Sequence, residues 1–304
     1  MKLDALIKDI QPLAVSGPRE HVIHGVVCDS RHVRPGFLFV AIPGVKQDGG
    51  AFVEDAIGRG ATAVVSESEG SPRRDVALIR VADAREALAR LAGAIHGEPS
   101  RQLQMVGVTG TNGKTTTTYM IRDILAADGR QPGLLGTVEY AIGARSIPAG
   151  RTTPDAASLQ AMLAQMVAAG CKSAVMEVSS HSLVQKRAAG IDYDVGVFTN
   201  LTRDHLDYHH TMEDYFKAKA LLFLGLGRGQ KRAVAVLNAD DSWGQRLARI
   251  PDLAAEVVTY GLNPDVMVRA EGVTLGPEGS SFQARTPLGA FPITTKLMGR
   301  FNVY

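Results

Sequence analysis

The sequence of 304 residues has only two cysteines, Cys28 and Cys171, and they form no CxxC pair. This scarcity argues against a zinc site or a disulfide framework, since both need several cysteines at fixed spacings. Positive residues exceed negative ones by only two, which gives no reason to expect a nucleic-acid partner. We therefore expect two buried cysteines and no binding to nucleic acid.

Long apolar segments are also missing from the chain. No apolar run approaches the roughly 18 residues that cross a bilayer, and the N-terminus lacks the apolar centre and cleavage site of a signal peptide. The N-terminus instead places Leu3, Leu6, Ile7 and Ile10 on one helical face. We expect a cytoplasmic monomer that does not insert into membranes.

The rest of the composition is that of an ordinary globular protein, with 45% hydrophobic residues and a length typical of about two domains. Glycine and proline in Gly97–Ser100 interrupt the pattern and predict a boundary there. We predict a small α/β domain over residues 1–98 and a second domain over 99–304. Alternating strand and helix patterns predict a mostly parallel sheet in the second domain, with an antiparallel appendage after Gly261.

The periodicity of apolar residues places the individual elements. Predicted strands are Val22–Cys28, Phe37–Ile42, Ala61–Ser66, Ala77–Val81, Gly133–Thr137, Ser173–Val178, Val195–Thr199, Ala233–Leu237, Val257–Tyr260, Val266–Ala270, Ser281–Arg285 and Phe291–Leu297. Predicted helices are Phe52–Arg59, Ala84–His96, Thr115–Ala127, Asp155–Ala169, Ser182–Ala188, Met212–Leu224 and Asp241–Ile250, and the last six residues resemble a helix start.

A glycine-rich stretch, Met105–Thr118, joins a short apolar strand pattern to a helical one and reads M-V-G-V-T-G-T-N-G-K-T-T-T-T. Backbone N–H groups in such a loop, together with the start of the following helix, favour bound phosphate. Lys114 is placed to neutralise phosphate charge and the Thr115 hydroxyl to bind Mg²⁺. The spacing is not that of the strict motif, which puts its first glycine at Val108.

Polar residues follow two of the predicted strands of the second domain. The carboxyl ends of neighbouring parallel strands meet at one edge of a sheet, so we expect these residues and the glycine loop to form one site. Glu177 is suited to hold a metal ion, whereas His205 is either a second ligand or a structural histidine. Lys217 and Lys219 belong either to that site or to a solvated helix face. The residues after the strands are Glu177, Ser179, Ser180, His181, Asn200, Arg203, Asp204, His205, Asp207, His209 and His210.

A polar turn in the first domain, Asp29-Ser30-Arg31, follows another predicted strand. Such a turn is either a simple loop with local hydrogen bonds or one wall of a groove. The loop Gly44–Gly50 is the candidate for the second wall. The residues alone do not decide between these two interpretations.

Three motifs together resemble those of the Mur ligase family of peptidoglycan synthesis. They read G-T-N-G-K-T-T, E-V-S-S-H-S-L-V-Q-K-R and T-N-L-T-R-D-H-L-D-Y-H, and the resemblance runs from about Asp29 to Asn302. The family's own loop, T-G-T-N-G-K-T, accounts for the glycine spacing. The resemblance implies a ligase that uses ATP and Mg²⁺ to join a diamino acid to a UDP-N-acetylmuramoyl dipeptide through an acyl phosphate.

Residues that match the family's motifs take on implied roles. The implied catalytic residues are Lys114, Lys219 and His205. The implied ATP contacts are Gly110, Thr111, Asn112, Gly113, Lys114, Thr115, Thr116 and, near the base, Asn302. The implied metal ligands are Thr115, Glu177, His205 and Lys219, the last as a carbamylated lysine. The implied substrate contacts are Ser30 for the uridine diphosphate, with Thr152, Thr153, Ser179, Gln185 and Arg187 for the muramoyl dipeptide.

The sequence departs from the family at two places. The family has a third domain, which holds the incoming amino acid, and the sequence stops where that domain would begin. We therefore expect a fragment that binds the UDP substrate but turns over poorly, so that full ligase activity of these residues would refute the expectation. The Gly44–Gly50 loop also differs from the family pattern, and we assign it no contact.

Other functions stay open at this stage. One is a module that binds the UDP-linked peptide without turnover, and another is a P-loop NTPase that acts on a macromolecular partner. A different ligase of the same chemistry is a further alternative, although the D-S-R turn and the S-S-H-S-L-V-Q-K-R run argue against a folylpolyglutamate synthase. Diaminopimelate and lysine both remain candidates for the added residue, and diaminopimelate is the commoner in the family.

Overall fold

The computed structural model describes residues 1–44, 48–70 and 73–304. Helices span α1 (Leu3–Leu6), α2 (Val53–Gly58), α3 (Ala84–Ile95), α4 (Pro99–Gln102), α5 (Lys114–Ala127), α6 (Ala156–Ala168), α7 (Ser180–Val184), α8 (Leu206–His209), α9 (Met212–Gly225) and α10 (Ser242–Ala248). Strands span β1 (Ala14–Ser16), β2 (Gly25–Val27), β3 (Phe37–Val40), β4 (Ala61–Ser66), β5 (Ala77–Arg80), β6 (Gln104–Thr109), β7 (Pro132–Leu135), β8 (Glu139–Ile142), β9 (Arg145–Pro148), β10 (Ser173–Glu177), β11 (Val195–Phe198), β12 (Val234–Asn238), β13 (Glu256–Gly261), β14 (Val268–Gly276), β15 (Gly279–Thr286) and β16 (Gly289–Thr295).

The chain divides into two compact units, and neither is continuous in sequence. The first unit takes α6 from the middle of the chain because that helix packs on α3. The predicted division at residue 98 assumed that each domain is one continuous segment, so it did not include the later segments that belong to the first unit. The first unit comprises Met1–Leu103, Thr153–Gly170 and Val184–Ile191, and the second comprises Gln104–Thr152, Cys171–Leu183 and Asp192–Tyr304.

The described residues of the first unit contribute five strands to a sheet in the order β1-β5-β4-β3-β2. All neighbours are parallel except β1, which pairs antiparallel with β5. Both faces of this sheet are covered: Leu38 and Val40 pack in the core with α3, while Phe39 packs in a second core with α2. This alternation along β3 explains why the strand is apolar at every position.

The second unit contains one sheet of eleven described strands, in the order β16-β15-β14-β13-β12-β11-β6-β10-β7-β8-β9. Its centre is parallel, and β6 lies between β10 and β11. The register aligns Glu177 with Val108 and Phe198 with Thr109, so these three strands end at the same edge. The predicted α/β class, the mostly parallel sheet and the antiparallel appendage after Gly261 are confirmed.

Some elements differ from the prediction. The residues between the predicted strand Gly133–Thr137 and the predicted helix Asp155–Ala169, where no element was predicted, contain the hairpin β8–β9 at the edge of the second sheet. The helix predicted over Ser182–Ala188 begins earlier and ends at Val184, because Lys186 has a positive φ of 54°. The predicted N-terminal helix is one turn of α-helix followed by a 3-10 turn over Lys8–Ile10, and the last residues form only a 3-10 turn over Arg300–Asn302.

Three further observations bear on the sequence predictions. Cys171 is buried and Cys28 is half-buried, where burial and then the charge of Asp155 raise the pKa of the Cys28 thiol to about 11. No helix within the described ranges combines the length and apolar character needed to cross a membrane. Residues 45–47 of the loop Gly44–Gly50, our candidate groove wall, lie outside the described residues.

Candidate nucleotide and metal site

The glycine loop lies between the end of β6 and the start of α5 and depends on two glycines with positive φ. Gly110 has a φ of 149° and Gly113 a φ of 85°. A Cβ atom on Gly110 would lie 1.9 Å from the Oγ1 of Thr199, so a larger residue would collide with the neighbouring strand end. The loop therefore has the shape expected of an anion site at a helix N-terminus.

The segment after β11 fixes this loop from one side. Asn200 accepts a hydrogen bond from the backbone N–H of Asn112 (3.0 Å) and donates its amide to the Asn112 carbonyl (3.2 Å). The Thr199 hydroxyl donates to the same carbonyl at 2.6 Å. In addition, the backbone N–H of Thr111 bonds to the Asn200 carbonyl at 2.8 Å. These four hydrogen bonds fix the backbone of the loop against the segment that follows β11.

Two lysines converge on the Gly110 carbonyl. Lys114 Nζ donates to it at 3.0 Å and to the Thr111 carbonyl at 2.8 Å. Lys219 Nζ, carried on α9 and 1% exposed, donates to the Gly110 carbonyl at 2.7 Å. Two ammonium groups at one carbonyl oxygen repel each other, and an anion bound between them would offset this repulsion.

The surroundings shift the pKa of both amines downward. Burial lowers the pKa of Lys114, while the charges of Glu177 and Asp204 oppose that shift. Burial also places the pKa of Lys219 well below its ordinary value, and the positive charge of Lys114 adds to the effect. Lys219 is therefore the amine of this site that most readily becomes neutral.

Glu177 closes the other side of the site at the end of β10. Its side chain is fully buried. Oε1 accepts from the Thr115 hydroxyl (2.9 Å) and from the backbone N–H of Thr137 (2.8 Å), and Oε2 accepts from the Thr137 hydroxyl (3.0 Å). The carboxylate is thereby fixed beside the first turn of α5.

The donor chemistry of these residues fits Mg²⁺. Carboxylate and hydroxyl oxygens are the ligands that this hard cation prefers, and Glu177 and Thr115 present both types 2.9 Å apart. Among the described residues no three His, Cys, Asp or Glu side chains gather as a ready-made metal cluster. Lys219, as an ammonium group, is not a metal ligand.

His205 lies in the turn before α8, with a positive φ of 52°. Its Nε2 is 3.5 Å from Asp204 Oδ2, and its side chain is 46% exposed. The ring stands edge-on to His181, with centroids 4.9 Å apart, and 6.1 Å from the ring of Tyr215. His205 thus reaches the site from an exposed turn, whereas Glu177 and Lys219 are fixed in the interior.

One cavity of about 370 Å³ gathers most of the predicted residues of the second unit. Gly110, which was also predicted for this site, is not part of the cavity lining. The Gly110 carbonyl nevertheless accepts hydrogen bonds from both Lys114 and Lys219. Thr137, Ser180 and Tyr215 also line the cavity and were not assigned roles from the sequence. The predicted residues in the lining are Thr111, Asn112, Gly113, Lys114, Thr115, Thr116, Thr152, Glu177, Ser179, His205 and Lys219.

A second cavity of about 270 Å³ shares Asn112, Gly113 and Thr116 with the first. Asn302, the residue predicted to lie near a nucleotide base, is in its lining. The remaining lining residues come from α5, from the ends of β11, β12 and β13 or just after them, and from the last residues of the chain. Asn200 was expected at the site from its position after a predicted strand, whereas no role was predicted for Thr117, Met120, Thr199, Asn238, Asp240, Asp241, Tyr260, Phe301 and Tyr304.

The other predicted substrate contacts belong to the first unit. Arg187 donates to the Thr153 carbonyl (3.2 Å) and to Gln185 Oε1 (2.5 Å), so these three residues form one local group. Ser30 is 5% exposed, and its hydroxyl hydrogen-bonds to the Asp55 carboxylate. Asp29, beside it, has a pKa of about 2 because the Arg31 guanidinium hydrogen-bonds to it. Thr152, by contrast, lies in the second unit and bonds to the Thr137 hydroxyl at 3.1 Å.

Family models match most of the chain. The model described as "Mur ligase middle domain" matches residues 108–304, and the model described as "Mur ligase family, catalytic domain" matches residues 22–96. A relative from Geobacter metallireducens, named UDP-N-acetylmuramoyl-L-alanyl-D-glutamate–2,6-diaminopimelate ligase, is 47% identical over all of this chain. The chain spans about 60% of that relative's length.

Solved structures resemble the chain as well. A structure titled as UDP-N-acetylmuramoyl-L-alanyl-D-glutamate–2,6-diaminopimelate ligase is 29% identical, with a TM-score of 0.82 over 100% of this chain and 61% of its own. A MurF ligase from Thermotoga maritima, solved in complex with ADP, is 20% identical with a TM-score of 0.58, covering 89% of this chain and 58% of its own. The second likeness concerns the fold alone.

Proposed function

The chain belongs to the Mur ligase family, and we propose that it serves an ATP-dependent ligase reaction that adds diaminopimelate to UDP-N-acetylmuramoyl-L-alanyl-D-glutamate. The names of the relatives support this substrate and the choice of diaminopimelate over lysine. One observation carries the proposal: two lysines and a buried carboxylate surround the glycine loop, where phosphate would bind.

Lys114 and the start of α5 receive the ATP phosphates in this proposal. The Lys114 ammonium group is held beside the loop by two carbonyls, and the free N–H groups of the first helical turn add partial positive charge. Asn302 lines the second cavity, and in this proposal it would contact the nucleoside end of the same nucleotide. The overlap of the two cavities at Asn112, Gly113 and Thr116 allows one ATP to occupy both.

Thr115 and Glu177 would hold Mg²⁺, and His205 together with a modified Lys219 would hold a second ion. A bound Mg²⁺ supplies charge neutralisation at the transferring phosphoryl group. Thr137 keeps the Glu177 carboxylate oriented through its N–H and hydroxyl groups. The remaining work of the protein is therefore to position the reactants.

Carbamylation of Lys219 resolves the repulsion between the two amines. The neutral amine of Lys219 attacks carbon dioxide, an N–C bond forms, one C–O π pair moves to oxygen, and the nitrogen loses a proton to solvent. The product is an anion beside Lys114, so that an attractive pair replaces a repulsive one. Its two oxygens are metal ligands, which an ammonium group is not.

The ligase reaction has two steps in this proposal. A carboxylate oxygen of the substrate peptide attacks the γ-phosphorus, the bond to ADP breaks, and an acyl phosphate forms. The amine of the incoming residue then attacks the acyl carbon, phosphate leaves with the C–O electron pair, and the amine proton passes to solvent. Lys114 offsets negative charge on the transferring group in the first step.

The predicted substrate contacts keep their proposed roles. Thr152 and Ser179 line the first cavity and would approach the reacting peptide. Ser30 would contact the uridine diphosphate, and the local group formed by Arg187, Gln185 and Thr153 would hold the muramoyl dipeptide. The partial burial of the Arg187 side chain favours a specific anion contact over free solvation.

The experiment that tests this function is an omission assay on the intact gene product. Phosphate release from ATP is measured with and without the UDP-linked dipeptide and diaminopimelate, and amide product is measured in parallel. We expect phosphate release only when both substrates are present, in a one-to-one ratio with amide. Phosphate release that needs a macromolecular partner instead would favour an NTPase that acts on that partner, and it would refute the ligase.

A further inference from the structure

A buried histidine, His209, lies directly behind the wall of the first cavity. It is the last residue of α8 and is 5% exposed. Its Nε2 lies 2.9 Å from the Ser180 hydroxyl, and its ring stacks on Tyr215 with centroids 5.0 Å apart at an angle of 28°. Ser180 and Tyr215 both line the cavity, although His209 itself does not.

Tyr215 connects His209 with Lys219 and with Thr111 on the glycine loop. Its ring faces Lys219, whose Nζ is 4.6 Å from the ring centroid. Its hydroxyl lies 3.3 Å from the Thr111 hydroxyl on the glycine loop. Tyr215 is 1% exposed, so its ring has little room to rotate while His209 is in place.

We propose that His209 is a positioning residue that ties Ser180, at the start of α7, to Tyr215 and thereby sets the orientation of Lys219 and Thr111 beside the glycine loop. This inference rests on the proposed function, because it assigns the groups that hold the reacting end of that site. An apolar aromatic residue would supply the stacking but not the hydrogen bond to Ser180. The combination of the two contacts is what selects histidine.

The test compares His209→Phe and His209→Ala with the control His96→Ala, an exposed histidine at the end of α3. His209→Phe keeps a ring against Tyr215 and removes only the Nε2 contact, so it remains informative if the alanine variant does not fold. For each variant, kcat and KM for ATP are measured in the ligase assay, with thermal unfolding as the folding check. Carbamate on Lys219 is measured separately, by NMR of protein equilibrated with carbon-13 bicarbonate.

For His209→Phe we expect a kcat at least tenfold lower, a KM for ATP within about twofold, and a weaker carbamate signal. Ser180→Ala should produce a similar loss, and the double variant should lose no more than either single variant, because both remove one contact. The control should match the wild type. A purely structural role would lower the folded fraction without this separation of kcat from KM.

Two results would overturn the inference. One is a wild-type kcat and carbamate signal in His209→Phe, and the other is a loss that is additive with Ser180→Ala. Failure of the proposed function has a different signature, because a wild-type protein that forms no amide refutes the ligase directly. If the wild type forms no amide, the carbamate signal of the variants still decides whether His209 orients Lys219. If the wild type shows neither amide nor carbamate, both the ligase proposal and the inference about His209 are refuted.

Discussion

At the scale of the residue, the charged side chains of the site share a small number of hydrogen-bond partners. Lys114 and Lys219 donate to the same carbonyl, while Glu177 takes three hydrogen bonds from two threonines. A bound anion and cation would therefore each meet groups that are already oriented. Such preorganisation is the main source of electrostatic stabilisation in a polar transition state.

Glu177→Gln separates the charge of this residue from its hydrogen bonds. Glutamine keeps the size of the side chain and an oxygen that accepts from Thr115 or Thr137, but it lacks the charge needed for Mg²⁺. We expect kcat to fall at least a hundredfold and the Mg²⁺ requirement to rise, while the unfolding temperature stays within about 4 °C of the wild type. Titration of ligase activity with Mg²⁺ and thermal unfolding measure the two effects. Unchanged Mg²⁺ dependence would exclude Glu177 as a ligand.

Gly110→Ala tests the tight approach of the glycine loop to the strand end beside it. The added Cβ would meet the Thr199 hydroxyl at 1.9 Å, and the backbone there has a positive φ. We expect ATP affinity to fall at least about tenfold, equivalent to about 1.4 kcal/mol, as measured by calorimetry. Gly150→Ala is the matched control, because a Cβ at Gly150 meets nothing within 4 Å. Equal affinities for the two variants would contradict the tight approach.

Residue roles were the hardest part to foresee from the sequence. Glu177 was predicted because a carboxylate at the end of an apolar strand is unusual. Tyr215 was missed because an aromatic residue at helical spacing is normally part of the core. Asn200 was expected near the glycine loop because both follow strands of one parallel sheet, but its hydrogen bonds to Asn112 were not predicted, since a shared sheet edge does not identify individual partners.

At the scale of the element, β14 runs six residues past its predicted end at Ala270, whereas most helices and strand β4 were predicted to within one or two residues. Helix α3 and strand β4 show why, since their buried faces repeat at the periods expected for helix and strand. The hairpin β8–β9 was missed because β9 is exposed along its whole length and so carries no apolar alternation. Helix α7 was predicted to begin at Ser182 instead of Ser180, because the polar side chains of Ser180 and His181 after a strand are typical of a loop.

The segment after α7 is tied to α3 within the first unit by one lysine. Lys186 Nζ lies 2.8 Å from Asp83 Oδ2 and 2.6 Å from Glu86 Oε2. The hydrogen bond from Lys186 lowers the pKa of Glu86 below its ordinary 4.5. A carboxylate whose folded pKa is lowered stabilises the fold above its ordinary pKa and loses that contribution as the pH falls through the folded value.

Lys186→Met should therefore destabilise the protein at neutral pH by about 0.5 kcal/mol, a modest value because all three side chains are about a third exposed. The difference from the wild type should shrink as the pH falls below 4.5. Urea unfolding at several pH values measures it, with Lys8→Met as the control on an exposed lysine of the same unit. A difference that does not depend on pH would show that the ion pairs are not its origin.

At the scale of the whole molecule, the sequence pattern was enough for two α/β units and a central parallel sheet. The sequence pattern did not show which segments make up each unit, because α6 and residues 184–191 belong to the first unit although they are far from the rest of it in sequence. Thr152 and Thr153, for example, are neighbours in sequence but belong to different units. The chain also spans about 60% of the relatives that it matches, so the reaction is best examined on the intact gene product.

The central claim is that phosphate is transferred from ATP to a substrate carboxylate beside Lys114. The most direct measurement uses UDP-N-acetylmuramoyl dipeptide whose reacting carboxylate carries oxygen-18. The account predicts that each amide formed releases one phosphate containing one oxygen-18 atom, and that Lys114→Ala abolishes this transfer. Phosphate released without the label, or with label in Lys114→Ala at the wild-type rate, would contradict it.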